Sequence, residues 1–185
     1  MKVWVVSHGG VGSKSFATFI KMHGFRVMTQ AWHGYLCHAP RPVDGNGIRL
    51  AVYIYGDPIL SICSMKQQGN AELNLRKLTD NAFAKYSDVA LLKAIYEQFR
   101  AFTTRRAKGY PTLLFKYEDA FNPVCLEKLR THLPLKRMMT KRFFRKREVS
   151  YRSICLKSLD IPLDLLHLAG EMFNYQSDCT INNGN

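Results

Sequence analysis

The feature that most constrains the fold of this chain is a glycine-rich loop set between a strand pattern and a helix pattern near the N-terminus. Residues 2–7 are largely β-branched and aromatic, and the loop His-Gly-Gly-Val-Gly-Ser-Lys-Ser over residues 8–15 follows them directly. Apolar residues then recur at helical spacing over 16–23, and Gly24 suits a helix C-cap. With a further strand over 25–29, these elements form a βαβ unit, which requires a parallel sheet.

The rest of the chain continues this alternation of strand and helix patterns. Residues 49–55 are nearly all apolar, as expected of a central parallel strand. Strands are also predicted over 35–38 and 112–116, and helices over 58–65 and 88–104. The predicted fold class is therefore α/β, a three-layer, P-loop-like fold with a mostly parallel central sheet flanked by helices.

Length and composition favour one globular domain. The 185 residues, 46% of them hydrophobic, suit a single domain over 1–176 with a disordered tail over 177–185. No apolar run reaches the roughly 20 residues of a membrane span, and no secretory signal pattern is visible, so the sequence predicts a soluble, cytoplasmic protein. The five cysteines show no metal-binding spacing and are interpreted as ordinary thiols.

The formal net charge of +13 predicts an anionic partner. Seven basic residues lie between Lys136 and Arg147, with Phe143 and Phe144 among them. Such a run is either a solvated surface or an anion site. A nucleotide, a polyanionic substrate, nucleic acid and an acidic membrane surface are therefore all compatible partners at this point.

The loop at the start of the first helix is the predicted phosphate site. Backbone N–H groups and the positive end of the helix dipole converge at a helix N-terminus, and glycines let the backbone come close to a phosphate. The predicted binding residues are Gly10, Val11, Gly12, Ser13, Lys14 and Ser15. The Walker pattern GxxxxGK[ST] is met only in part, because His8 and Ser13 stand at its glycine positions.

Four blocks of sequence carry further information, in order along the chain. The phosphate loop within residues 3–15 comes first, and His38-Ala39-Pro40 is a His-x-Pro element after a predicted strand. Asp57-Pro58 follows the central strand, with Ser64 downstream, and Tyr117-Glu118-Asp119 follows a late strand. Together these blocks resemble the sulfotransferases that use 3′-phosphoadenosine-5′-phosphosulfate. They cover roughly two thirds of the chain.

The resemblance implies a role for each matching residue. Lys14 would neutralise the leaving 5′-phosphate, and Ser64 would hold the 3′-phosphate of the donor. His38 would be the general base that takes the proton of the acceptor hydroxyl, with His33 as the second choice. No metal is required by this chemistry.

Two positions depart from the family pattern. Gly56 stands where an arginine is expected before Asp57, and Lys14 comes later in the loop than the lysine of the family. The family also places a basic loop over the 3′-phosphate, and residues 145–152 resemble it. Arg145 and Arg147 of that segment are the predicted ligands that would offset the missing arginine.

The function implied by the resemblance is transfer of a sulfuryl group to a hydroxyl of a small-molecule or saccharide acceptor. The donor would be 3′-phosphoadenosine-5′-phosphosulfate and the product adenosine 3′,5′-bisphosphate. One alternative is a P-loop kinase, for which Asp57 would hold a metal ion. The other is a non-catalytic module that binds a nucleotide or a polyanion, nucleic acid included, through residues 136–147.

Overall fold

The computed structural model describes residues 1–28, 36–44, 47–104, 109–118, 123–135, 158–175 and 181–182. The strands in these ranges are β1 (Lys2–Ser7), β2 (Arg26–Met28), β3 (Leu50–Tyr55), β4 (Thr112–Lys116) and β5 (Ile181–Asn182). The α-helices are α1 (Ser13–Met22), α2 (Pro58–Gln67), α3 (Ala71–Thr79), α4 (Asp88–Thr104), α5 (Pro123–His132) and α6 (Leu166–Asn174). Two short 3-10 turns lie at Leu36–His38 and Leu163–Leu165.

The strands of the described residues form one sheet in the order β2-β1-β3-β4-β5. The first four strands are parallel, with Val3 beside Leu50 and Ala51 beside Thr112, and β5 pairs antiparallel with β4. The predicted α/β class with a mostly parallel sheet is therefore confirmed. Ile181–Asn182, in the tail that the sequence predicts to be disordered, forms this short edge strand, and the rest of the tail lies outside the described residues.

Helices cover both faces of the sheet because both faces of its central strands are apolar. Along β1, Trp4 and Val6 belong to one buried cluster, which includes residues of α2, α3, α4 and α6. Val3 and Val5 belong to a second cluster, with residues of α1 and α5. This alternation is the period of two expected of a strand buried on both faces.

One predicted strand is wrong. The structure describes a 3-10 turn at Leu36–His38, where the sequence predicts a strand over 35–38. One local and one non-local feature explain the difference. Pro40 and Pro42 follow and have no N–H group for a sheet ladder, and the His38 imidazole bonds to the end of β1. In addition, α3, α5 and α6 were not predicted. Helix α2 runs two residues beyond the predicted end at Met65.

The order of the strands fixes where a ligand can approach. The chain passes from β1 to β2 on one side and then to β3 on the other side of β1, so the connections diverge between β1 and β3. In open α/β sheets, ligands bind at the carboxyl ends of the strands at such a reversal point. The loop after β1 and the turn after β3 are therefore the candidate ligand-binding region.

Candidate functional site

The loop after β1 needs its glycines for both conformation and space. Gly9, Gly10 and Gly12 have φ angles of +98°, +69° and +67°, which L side chains rarely adopt. A Cβ atom on Gly10 would lie 2.6 Å from the carbonyl oxygen of Ser61, and one on Gly12 would lie 2.9 Å from the ring of Tyr117. The loop is therefore packed closely against α2 and the end of β4.

Helix α1 begins directly after this loop and presents its N-terminus there. Gly12 accepts the first hydrogen bond of the helix, from the N–H of Phe16 at 3.0 Å. Within the described residues, no side chain caps this end, and the first turn carries no acidic residue. The N–H groups of the first turn are thus available to an anion. Lys14 and Ser15 are exposed at this end of the helix.

His38 lies at the same edge of the sheet as the glycine loop. Its Nδ1 atom is 2.9 Å from the carbonyl oxygen of Ser7, the last residue of β1. Because a carbonyl can only accept, Nδ1 carries the proton, and the neutral ring therefore has its lone pair on Nε2. Burial lowers the pKa of His38 to about 4, the charges of Lys77 and Lys14 add to that effect, and the bond to Ser7 opposes it.

The influence of Lys77 identifies a residue that the sequence analysis missed. Lys77 lies on α3, together with Asn74, whose Nδ2 atom would be 3.1 Å from a Cβ on Gly9. The charges of Lys77 and Lys14 also act on the thiol of Cys37, whose pKa is nevertheless raised by burial. Two ammonium groups from different helices thus act on the same short turn, the one that carries His38.

His8 fastens the loop to α2. The hydroxyl of Ser61 donates to the carbonyl of Asp57 at 2.8 Å, so the His8 Nε2 atom, 3.0 Å away, donates to the Ser61 oxygen. The Nδ1 atom of His8 is then an acceptor, and it is buried without a partner in the part of the chain that the structure describes. Burial, with a contribution from His38, lowers the pKa of His8 to about 3.

The turn after β3 is held by two carboxylates. Asp57 is the N-cap of α2, and its Oδ1 atom accepts from the N–H groups of Ile59 and Leu60 at 2.8 and 3.2 Å. Glu118 Oε1 accepts from the N–H of Asp57 at 2.9 Å. A Cβ on Gly56 would lie 3.0 Å from this Oε1 atom, so the Glu118 carboxylate packs against the position where the family pattern has an arginine.

Among the predicted residues not yet placed, Ser64 is described by the structure and several others lie outside the described ranges. Ser64 is half-buried on α2, one turn beyond Ser61, and its hydroxyl accepts from the side chain of Gln68 at 3.0 Å. Ser64 therefore lies on the helix that packs on the glycine loop. Residues outside the described ranges include His33, Asp119 and the whole segment 145–152 with Arg145 and Arg147.

Two general features of the described residues bear on the site. They contain no cluster of three or more histidine, cysteine or acidic side chains that could hold a metal ion. None of their helices combines the length and the apolar character needed to cross a bilayer.

Comparison with known proteins adds no family assignment. No protein-family model matches the sequence, and no curated protein is significantly similar to it.

Proposed function

We propose that this chain is a sulfotransferase that binds 3′-phosphoadenosine-5′-phosphosulfate at the glycine loop and sulfates a hydroxyl group. One observation carries the proposal. Ser7 immediately precedes the glycine loop. Its carbonyl also accepts a hydrogen bond from His38 Nδ1, which leaves Nε2 of the neutral imidazole free to accept a proton. A single strand end thus positions a candidate anion site and a candidate proton acceptor.

Each part of the reaction has a candidate group. The acceptor oxygen attacks sulfur and its proton passes to His38 Nε2, while the bond from sulfur to the bridging phosphate oxygen breaks. The N–H groups of the first turn of α1 and the ammonium of Lys14 stabilise the charge that develops on the leaving phosphate. Lys77 supplies a second positive charge near His38.

Binding of the anionic donor would also tune the base. Lys14 and Lys77 both lower the pKa of His38 in the free protein. A phosphosulfate bound between them would offset their charge, so the pKa of His38 would rise when the donor is present. The imidazole would then be a stronger base in the complex than in the free protein.

Phosphoryl transfer from ATP is the alternative use of the same loop. It requires a magnesium ion, for which Asp57 is the sequence-predicted ligand. In the structure Asp57 Oδ1 already accepts two backbone N–H groups as a helix cap. This arrangement favours a structural role for Asp57 and supports sulfuryl transfer over the kinase alternative.

Thermal unfolding with added nucleotide tests the proposal. Adenosine 3′,5′-bisphosphate at 100 times its Kd should stabilise the folded protein by about 2.7 kcal/mol, without magnesium. Lys14→Ala should remove most of this effect, because a charge-assisted contact contributes about 1.5 to 3 kcal/mol. Lys21→Ala, in the last turn of α1, is the matched control and should leave the effect unchanged.

Three outcomes would contradict the proposal. Equal stabilisation by magnesium ATP would favour the kinase. Full stabilisation in Lys14→Ala would remove the first turn of α1 from the site. A lack of stabilisation by either nucleotide would rule out nucleotide binding by this loop.

A further inference from the structure

A groove outside the phosphate site runs along one face of α4. It has a volume of about 370 Å³ and is lined by Pro40, Arg41, Glu97, Arg100, Ala101 and Thr104. The four residues from α4 are spaced at i, i+3, i+4 and i+7, so they form a single helix face. Pro40 and Arg41 form the opposite wall. The volume is within the range of small-molecule sites.

Hydrogen bonds fix the segment that forms the wall opposite α4. The side chain of Gln98, on α4, donates to the carbonyl of Ala39 at 2.7 Å and also contacts the carbonyl of Ser7 at 3.3 Å. Further along the same segment, the hydroxyl of Tyr110 donates to the carbonyl of Val43 at 2.5 Å. The segment opposite α4 is thus fixed at two points, and the groove exists before any ligand arrives.

The groove has one guanidinium on each wall. Arg41 is exposed and has no hydrogen-bond or ion-pair partner among the described residues. Arg100 lies over the ring of Tyr96, 6.0 Å from its centroid, and donates to the hydroxyl of Tyr96 at 3.4 Å. That hydroxyl in turn donates to Glu171 on α6. Arg100 is therefore held in place, and most of its N–H groups remain for a ligand.

Glu97 adds a hydrogen-bond acceptor to the same groove. The lining residues thus supply two guanidinium groups and one carboxylate, and the carboxylate of Glu171 also acts on Arg100. Such a set suits a ligand with one oxyanion and neighbouring hydroxyl groups, because arginine binds carboxylates and sulfates well and a carboxylate accepts from hydroxyls.

We propose that this groove binds the acceptor, a hydroxylated compound of the acidic saccharide type, with its oxyanion between Arg41 and Arg100 and a hydroxyl on Glu97. The groove starts at Pro40, two residues after His38, which corresponds to at most about 7 Å of backbone. The Pro40 end of the groove therefore lies near the turn that carries the candidate base. The assignment of the ligand as acceptor rests on the proposed sulfuryl transfer, whereas the binding of an acidic saccharide does not.

Calorimetric titration with three hexasaccharides at 0.15 M salt tests the groove. Hyaluronan carries carboxylates only, a keratan sulfate fragment carries sulfates without uronic acid, and maltohexaose is neutral. Binding of one or both acidic probes is expected, and the pair distinguishes carboxylate from sulfate as the anchor. Arg41→Ala and Arg100→Ala should each weaken that binding about tenfold, since each removes one charge-assisted contact.

Arg49→Ala is the matched control, because it removes an exposed arginine that precedes β3 and does not line the groove. It should change the affinity less than twofold. The proposal is overturned if no acidic probe binds, if maltohexaose binds equally well, or if Arg49→Ala weakens binding as much as Arg41→Ala. The side chain of Arg41 makes no hydrogen bond or ion pair within the described residues. Arg41→Ala therefore tests the groove even if Arg100→Ala does not fold.

A nucleotide titration separates this proposal from the previous one. Arg41→Ala should keep the full stabilisation by adenosine 3′,5′-bisphosphate. If the saccharide binds in an Arg41-dependent way but the nucleotide does not stabilise the protein, the groove proposal stands and the sulfotransferase proposal is refuted. If the nucleotide stabilises the protein but no acidic saccharide binds, the nucleotide-site proposal stands and the groove proposal is refuted.

Discussion

His8, which is buried, and His38, which is half-buried, predict a steep loss of stability in mild acid. His8 and His38 have folded-state pKa values of about 3 and about 4, both below the ordinary value of 6.5 for an exposed histidine. The unfolded chain therefore binds protons that the folded chain does not bind once the pH falls below about 6.5. The stability is complete above that pH and is lost as the pH falls toward the folded pKa values.

The size of the effect follows from the pKa differences. Between the unfolded and folded pKa values, each histidine contributes a slope of about 1.36 kcal/mol per pH unit. At pH 5, which is 1.5 units below 6.5, each would cost about 2 kcal/mol and the two together about 4 kcal/mol. A folded domain typically has a free energy of unfolding of about 5 to 15 kcal/mol. A loss of about 4 kcal/mol is therefore a large share of the total stability.

Urea unfolding at pH 7 and pH 5, at constant ionic strength, measures this loss. His8→Gln keeps an N–H donor for Ser61 but cannot take up a proton, so it should remove about half of the difference between the two pH values. His38→Asn keeps a donor for Ser7 and should remove the other half. His167→Gln is the control, because it replaces an exposed imidazole. An unchanged difference in both buried variants would refute the reasoning.

Three further predictions concern single residues of the site. Gly10→Ala should destabilise the protein by about 2 kcal/mol or more in urea unfolding, because the added Cβ meets the backbone of Ser61. Gly24→Ala is the control: it also has a positive φ, +83°, but no atom lies within 4 Å of the added Cβ, so it should cost only about 1 kcal/mol. Asp57→Ala should cost about 1 kcal/mol through loss of the α2 cap, and Asp57→Asn should restore most of it. His38→Ala should lower sulfuryl-transfer turnover about 10²- to 10⁴-fold in a radiolabelled-donor assay while nucleotide affinity stays unchanged; wild-type turnover would contradict its role as base.

The sequence predicted the parts of the fold in which local pattern and burial agree. β1, α1, β3 and β4 were identified because their apolar residues have the period of a strand or a helix and these residues are buried in the structure. The segment at 36–38 was predicted wrongly, because its conformation depends on the carbonyl of Ser7, which is distant in sequence. Non-local contacts of this kind have no local signal.

The same limit applies to the candidate site. The glycine loop was visible because positive φ angles require glycine in a pattern that can be read locally. Lys77 was missed because it reaches the site from α3, a short helix whose buried stripe is only Ala71, Asn74, Leu75 and Leu78. The bond of His8 to Ser61 was also missed, since nothing near either residue in the sequence indicates that they meet.

The packing around Gly56 has a consequence for substitution at this position. Any larger side chain there must share space with the Glu118 carboxylate, at 3.0 and 3.2 Å, and with Val11 Cγ1, at 3.2 Å. Glu118 accepts a hydrogen bond from the N–H of Asp57, the N-cap residue of α2. A larger movement of Glu118 would break this bond. An arginine could therefore be gained at position 56 only with shifts of a few tenths of an ångström in Glu118 and Val11. Its side chain would then start beside the Glu118 carboxylate.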